Sequence, residues 1–578
     1  MSLSSALQIG RSALTASSLG IATTSNNLAN AATPGYRRQL TTLVPMRGAG
    51  SGIGRSVGMG VAVSDIRRQV SMSLEARTRS ALSDENAAYA RAGILTSIET
   101  TLGELGDNDL SSQLSSFFNA WSERANLVQS SAVVVQEGRS LAAFVSGLRS
   151  DLASQRSQVD QEIGTSISRA NELLDQIAAM NTSIAQAEGG TTTANTLRDQ
   201  RDALIEELST FVDVSVVERG GSVDVLIGSM PVVLDGVSRG LAIDRNTGSG
   251  GDSIPRLVTR DDGSQLSPTS GSLGALLSER TTSINRSIEA LDTLTSQLIF
   301  NVNKLHSTGI GASWLKGTTG TLSVPIGDQA LALNDPANTT LANLPFSAQN
   351  GGFSVNVRNT ATGAIDTIRI DIDLDGLTDA GTPGTADDTS LEEIRAALDA
   401  IPGLSSSFTP DGRLTLNAQT GYEFSFSDDS SGALAVIGLN AYFKGTDARS
   451  IAINDPLEAD PDQLGIGSLS NGTLIENGTA LALAGLATAS IPALGNRSLQ
   501  AAWRDHVTVV AAASSSASVQ AQSSSVVRES LDSQRAAVSG VSVDEESINL
   551  LNYQRQYQAG ARVIEVSRQL MDTLINLI

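Results

Sequence analysis

Apolar residues return every seventh position at both ends of this chain. Leu7, Leu14, Ile21 and Leu28 mark the first seam, and Leu550, Tyr557, Ile564, Met571 and Ile578 mark the last. A strict seven-residue repeat keeps one stripe facing a partner helix, because slight under-winding to 3.5 residues per turn stops the stripe drifting. These residues are the expected assembly seam. Between them lie Leu3, Gly10, Ser17 and Thr24 at one end, and Tyr553, Gly560, Ser567 and Leu574 at the other. Glycine and serine there let helix backbones approach closely. The pattern predicts that the two ends meet, residues 1–32 with 541–578, as a terminal coiled-coil domain.

Inside these ends the period changes several times. Residues 2–30 read as one amphipathic helix that stops before Thr33-Pro34-Gly35-Tyr36, where Pro34 biases Thr33 away from helical geometry and Gly35 can take a positive φ. Arg37 to Val63, with the glycine-rich run Gly48–Gly60, reads as an extended or irregular connector. Helical spacing resumes at about Asp65, with Leu74, Ala81, Ala88, Leu95 and Leu102 seven apart. A shorter helix follows around Leu114, Phe117, Phe118 and Trp121. Residues 131–187 then predict one helix on the order of 80 Å long, with Ile163, Ile167, Ala170, Leu174, Ile177 and Ile184 on one face and Gly189-Gly190 at its end.

Ala194–Phe211 predicts a further helix. Val214, Val216, Val223, Val225 and Ile227 alternate with polar residues around Gly220-Gly221, a hairpin pattern, and strand-like pieces continue to about 265. A helix from Leu273 to His306 comes next. Residues 311–449 are rich in Gly, Thr, Asp and Asn, with short β-like stretches and one helix, Ser390–Ala400. A loop-rich region reaches Asn496, then a helix from Ser498 to about Val538. The last helix opens at Ser542-Val543-Asp544-Glu545-Glu546, where Ser542 and Glu545 have capping-box spacing and the acids suit the positive end of the helix dipole. The expected fold is α+β and multidomain: terminal coiled-coil helices, then an elongated helical bundle (33–310 with 450–540) carrying a β-hairpin region at 212–265, and a β-rich inserted outer domain at 311–449.

Composition narrows the function. The chain has 578 residues, 3% aromatic, and a formal net charge of −22, which argues against nucleic acid or an anionic membrane as partner, since both need clustered Lys and Arg. With no cysteine, neither disulfides nor thiol chemistry contribute. No apolar run is long enough to span a bilayer. The N-terminus lacks the basic and apolar regions of a Sec-type signal peptide, so an extracellular protein of this kind is expected to leave by another route.

The segment Asn26-Asn27-Leu28-Ala29-Asn30-Ala31-Ala32-Thr33-Pro34-Gly35-Tyr36 resembles the signature of bacterial flagellar rod, hook and hook-associated proteins. Its motif positions are Asn26, Asn27, Asn30, Thr33, Pro34, Gly35 and Tyr36. Three further stretches narrow the resemblance to the hook-associated protein 1 family: Arg37-Arg38-Gln39, Leu197-Arg198-Asp199-Gln200-Arg201-Asp202-Ala203-Leu204, and Ser539-Gly540-Val541 leading through Asp544-Glu545-Glu546 to Asn552-Tyr553-Gln554-Arg555-Gln556-Tyr557. The resemblance implies a structural subunit at the hook–filament junction of the flagellum, extracellular and exported without signal cleavage. It also implies partners: further copies of the chain in a ring, the hook protein, the second junction protein (hook-associated protein 3), and an export chaperone on the C-terminal helix. On this reading the ends wait for their neighbours, and ordering them is offset by burying the seams. Residues 310–450 carry no family mark, and a secreted adhesin acting through them is the alternative.

Candidate chemistry is sparse. Asp371, Asp373, Asp375 and Gly376 fit the start of an EF-hand-type calcium loop, with Asp379 at the ninth position. The twelfth position is Thr382, where a bidentate Glu is required. The competing reading is a set of alternating aspartates on the solvent side of an edge strand, a device against edge-to-edge association. No metal or cofactor is therefore expected. His306 and His506 are the only histidines; a capping or dipole role is expected for the first and packing for the second. Without a Walker or dinucleotide fingerprint or a catalytic constellation, no enzyme is expected.

Overall fold

The computed structural model describes residues 3–47, 58–103, 109–189, 193–247, 253–378, 380–470 and 472–576. Helix α1, Leu3–Ala29, has the predicted bounds to within a residue. The connector is more regular than expected: β1 (Gln39–Pro45) and β2 (Val61–Arg68) form an antiparallel pair with a bulge between Thr42 and Leu43. Helical structure accordingly resumes at Met72, not at Asp65, because Asp65–Arg68 are the last strand residues. Most of Gly48–Gly60 lies outside the described residues.

Helix α2 (Met72–Leu102) buries Ala81, Ala88, Leu95 and Leu102 as its heptad spacing requires. Helix α3 (Leu110–Ala125) is capped by Asp109, whose side chain accepts from the Ser112 amide at 2.6 Å. Helix α4 (Ser131–Ala187) has 57 residues, and its predicted face from Ile163 to Ile184 is buried. Helix α5 (Asn195–Phe211) leads into a four-stranded antiparallel sheet in sequence order, β3 (Val214–Arg219), β4 (Ser222–Ile227), β5 (Met230–Leu234) and β6 (Val237–Ser238). The hairpin β7 (Leu241–Thr247) and β8 (Ser253–Thr259) follows. The single helix expected from Leu273 to His306 is divided into α6 (Gly271–Glu279), a π-helical stretch (Arg280–Asn285) and α7 (Arg286–His306).

The inserted region is β-rich, as expected, in two small sheets. One has the order Ile365–Ile372, Gly351–Asn359, Tyr422–Ser427; the other has the order Gly317–Thr319, Leu414–Ala418, Leu404–Phe408. Phe353, Phe424 and Phe426 lie at the core of the first. Its helix, Leu391–Asp399, begins with a complete Ser390/Glu393 capping box. The stretch read as loop-rich also holds short elements, among them Gly467–Ser470, Thr473–Ile475 and the helix Gly478–Gly485. Two long helices close the chain: the penultimate helix Leu499–Ser539 and the C-terminal helix Val543–Asn576.

Contacts divide the chain into two compact units, 1–94 with 159–281 and 515–578, and 95–158 with 282–514. This division is coarser than the nested three-domain one. The terminal pair falls inside the first unit and residues 311–449 inside the second, while α2, α4 and the penultimate helix contribute to both.

Candidate assembly interface

Within the first unit the chain ends meet, as the seven-residue repeat requires: α1 pairs along its length with the C-terminal helix. A Cβ added to Gly10 would lie 2.7 Å from Ile564 Cγ1, one at Gly20 would lie 2.6 Å from the Tyr553 ring, and one at Gly560 would lie 3.3 Å from Leu14. As the position rises along α1 its partner falls, so the two helices are antiparallel.

The seam itself differs from expectation. The positions buried between the helices are the small ones, Gly10, Ser17, Gly20 and Thr24 on α1 with Gly560 and Ser567 opposite. Leu7, Leu14, Ile21, Leu28, Leu550 and Ile564 are only half-buried, Tyr557 and Met571 are exposed, and Ile578 lies outside the described residues. The reason is close approach. When two helices lie nearly backbone to backbone, the axial positions must be small, and large side chains flank them and rest on the partner's glycines. Leu14 rests on Gly560, Ile564 on Gly10 and Tyr553 on Gly20.

This packing leaves a second apolar stripe uncovered. Val563, Val566, Leu570 and Leu574 recur at helical spacing on the C-terminal helix and are about half exposed, as are Ile548 and Leu551 nearer its start; Ile575 is 66% exposed. Soluble monomers rarely present contiguous apolar surface of this kind unless something binds it.

The Asn-rich turn sits where the pair opens, and it does more than end a helix. Asn27, 1% exposed, uses its whole amide. Its Nδ2 donates to the Gln39 carbonyl at 2.9 Å and to Glu546 Oε2 at 3.0 Å, while its Oδ1 accepts from the Gln39 amide at 3.0 Å and from the Tyr36 hydroxyl at 2.8 Å. Asn26 Nδ2 donates to Tyr36 Oη, and Asn30 Nδ2 donates back to the Asn26 carbonyl and side chain. Thr33 Oγ1 donates to Asn30 Oδ1. Gly35 supplies the positive φ of 79° that turns the chain after Pro34. Burial, then the charges of Asp199 and Glu546, push the Tyr36 phenol up to about 12, so it stays a donor at any physiological pH.

Arginines tie this turn to the other family stretches. Arg37 forms a two-point pair with Glu75 of α2, at 3.1 Å from Nε and from Nη2. Arg38 pairs with Glu546 at 2.7 Å and Glu545 at 2.9 Å, and its amide donates to the Ser539 carbonyl at 3.0 Å. Arg68 reaches Asp199 and Asp202 of α5 at 2.9 and 2.7 Å. Burial raises the Asp199 carboxyl despite Arg68 and Arg37 beside it. On the other side of α5, Arg198 pairs with Glu188 and Glu218, and the buried Arg201 donates to Asn181 Oδ1 and the Gly221 carbonyl, holding the β3–β4 turn. The charged positions of 197–204 are thus internal ties, not a solvated face. The acids at the start of the C-terminal helix are likewise diverted. Ser542 Oγ accepts from the Glu545 amide at 3.4 Å, but the Glu545 carboxylate goes to Arg38 and Glu546 is buried. The expected capping box is therefore only half made.

The aspartate group is arranged differently from an EF-hand. Asp371 lies on Ile365–Ile372, an edge strand, and pairs with Arg369 at 2.7 Å in solvent. Asp379 lies outside the described residues. Carboxylate oxygens of Asp373 and Asp375 come within 4.8 Å of one another and of Asp388, a residue that reading the loop position by position did not select. Asp388 is buried and already accepts from Asn334 Nδ2 at 2.7 Å.

His306 departs from expectation. It neither caps nor faces a dipole but is fully buried against Trp121 and Tyr442. Its Nδ1 faces the Asn440 carbonyl at 2.9 Å and its Nε2 accepts from the Gly465 amide at 3.1 Å, which sets one neutral tautomer. Burial depresses its pKa to about 4. His506 packs on Trp503, as expected. Among the described residues no helix is long and apolar enough to cross a membrane.

Comparison with known proteins agrees with this geometry. Residues 95–322 match the family described as the flagellar hook-associated protein FlgK helical domain. Residues 7–37 match the flagella basal body rod protein family and 533–577 the flagellar basal body rod FlgEFG protein C-terminal family, and these two segments are joined by the Asn27–Glu546 hydrogen bond. Flagellar hook-associated protein 1 of Salmonella typhimurium is 27% identical over 595 residues, covering 100% of both chains, and that of Escherichia coli is 24% identical over 597 residues with the same coverage. The Bacillus subtilis protein of that name is 33% identical over 222 residues, 36% of this chain and 43% of its own. The solved flagellar hook junction protein FlgK from Burkholderia pseudomallei aligns with a TM-score of 0.48 at 14% identity, over 80% of this chain and 100% of that one. The chain belongs to the flagellar hook-associated protein 1 (FlgK) family, structural components of the bacterial flagellum.

Proposed function

We propose that this protein is the junction subunit between hook and filament, and that its paired ends are completed by neighbouring subunits. The observation that carries the reading is the stripe from Val563 to Leu574, half exposed on a helix that α1 covers on one side only. Further copies of the chain, the hook protein and hook-associated protein 3 are the partners that cover it after assembly. An export chaperone covers it beforehand, and the chain reaches the cell exterior without a cleaved signal. In this reading the chain has three parts along its sequence: residues 1–32 with 541–578 as the terminal module, 33–310 with 450–540 as the helical bundle, and 311–449 as the inserted domain. The role is structural rather than catalytic. The comparisons lend no support to an adhesin acting through the inserted region.

Deleting residues 550–578 tests the reading. The truncated chain is expected to remain soluble, with the second unit folded, and to leave cells without filaments. A truncated chain that still supports filament growth overturns the scheme.

A further inference from the structure

In the second unit, Leu127 stands exposed where the backbone favours glycine. Helix α3 ends in a Schellman motif: the Val128 amide donates to the Glu123 carbonyl at 2.9 Å and the Leu127 amide to the Arg124 carbonyl at 3.0 Å. The motif holds Leu127 in the left-handed region, at a φ of 61°, where a Cβ crowds the following carbonyl oxygen and glycine is the relaxed choice. Such a motif usually closes with an apolar contact between the residues that here are Val128 and Glu123, and Glu123 is a charged side chain in solvent. Leu127 is 72% exposed and Val128 71%. Burial of neither side chain offsets the strained conformation, and the pair forms an apolar knob; strain of this kind points to a use outside the free chain.

The same unit holds a recess of a size for this knob. Its volume is about 280 Å³, with Ala290, Leu294, Leu494, Ala502 and Trp503 as apolar walls and the exposed Arg286 and Glu289 at its edge. Small-molecule sites run to about 300–1,000 Å³, whereas this one suits one or two aliphatic side chains. Gln500 Nε2 donates to Ser115 Oγ at 2.6 Å, which sets the recess end of the penultimate helix against the first half of α3. The knob follows Ala125, the last residue of α3, and the helix from Ser115 to Ala125 spans about 15 Å. A knob therefore cannot fill the recess of its own copy. A knob and a matching recess at different places on one unit make a head-to-tail contact, which closes into a ring when repeated by a suitable rotation.

We propose that Leu127 and Val128 of each copy dock in the recess walled by Leu494 and Trp503 of the next copy. The inference rests on the ring of copies proposed above. Charge at the edges is matched: Glu123 and Arg124 precede the knob, and Arg286 and Glu289 edge the recess, so Glu123 faces Arg286. Exposed pairs of this kind set orientation more than affinity. Area argues for a second copy over a partner that binds from solution. A stable interface between free proteins uses about 20–30 residues a side, and a two-residue knob falls far short of that. The contact forms only between copies already held side by side, where effective concentration is high.

The natural absence of cysteine makes a disulfide a direct reporter. Hook–filament junctions are isolated from cells carrying Val128→Cys/Ala290→Cys and oxidised with copper phenanthroline. A ladder of disulfide-linked copies is expected, with monomers only from either single variant. Monomers from the double variant, in junctions that contain it, overturn the docking and leave the ring reading standing; a natural chain absent from the junctions overturns both. Leu127→Gly decides the matter if the double variant does not enter junctions. Its isolated chain is expected to melt at a higher temperature than the natural one, because the left-handed strain is relieved, while its filaments shear from their hooks several-fold more readily. Leu127→Gly junctions as strong as natural ones overturn the proposal equally.

Discussion

The centre of the second unit and the terminal pair of the first are both built on apolar contacts, yet they finish differently. Around Trp121, the rings of Phe117, Tyr442 and Phe443 and the imidazole of His306 interlock with none of them open to water. Tyr442 Oη donates to the Val134 carbonyl at 2.7 Å, so even its hydroxyl is satisfied internally. Along the terminal pair the buried positions are glycine, serine and threonine, and the leucines and valines remain half in water. One region is complete as a single chain. The other keeps apolar side chains half in water, as the proposed assembly role requires.

The contrast can be broken most severely at the finished end. Trp121→Ala removes the largest buried side chain and leaves a cavity, at a cost of about 3–5 kcal/mol; denaturant unfolding is expected to show it, and a loss below about 1 kcal/mol would show the core to be less complete than described.

His306 gives the next largest effect. Its folded pKa, about 4, lies below the ordinary histidine value of 6.5, so the unfolded chain binds more protons between these limits and stability falls as the pH drops through that window. The full difference is worth about 3 kcal/mol, fully present above pH 6.5 and lost as the pH approaches 4. Unfolding midpoints measured at pH 7 and pH 4.5 are expected to differ less in His306→Gln than in the natural chain. Equal differences would place the acid sensitivity elsewhere.

At the unfinished end the effect on folding is smaller and the effect on assembly larger. Gly20→Leu forces a side chain into the Tyr553 ring and costs about 1–3 kcal/mol through overpacking. The second unit is expected to keep its melting behaviour while cells lose filaments. Unimpaired motility would show that close approach of the ends is dispensable. Smallest of all, Asp371→Asn on the solvent side of its edge strand is expected to change stability by no more than about 0.5 kcal/mol, as read by thermal unfolding.

Much of the fold was legible in the sequence because long periodic helices carry their own signal. Helices α1, α4 and the penultimate helix begin and end within a residue or so of where their caps and spacing predict. What was not legible depended on distance along the chain. The β1–β2 pair is made of residues about twenty apart with a glycine-rich stretch between, and such pairing leaves little local trace. Glu546 reads as a dipole-matching acid until Arg38, more than five hundred residues earlier, is seen to reach it. Asp388 joins Asp373 and Asp375 only through the fold of the intervening loop. The seam was found but inverted: ranking positions by hydrophobicity selects the largest side chains, whereas close helix contact places the smallest ones on the axis. The glycine and serine positions between the leucines already held that information.

Hydrogen exchange on the intact chain, free in solution and incorporated into isolated hook–filament junctions, bears most directly on whether the ends are unfinished. In the free protein, α1 and the C-terminal helix are expected to exchange much faster than α3 and α7, and to gain protection only in the assembled junctions. Protection of both terminal helices equal to that of α3 and α7 in the free chain, unchanged on assembly, would contradict it.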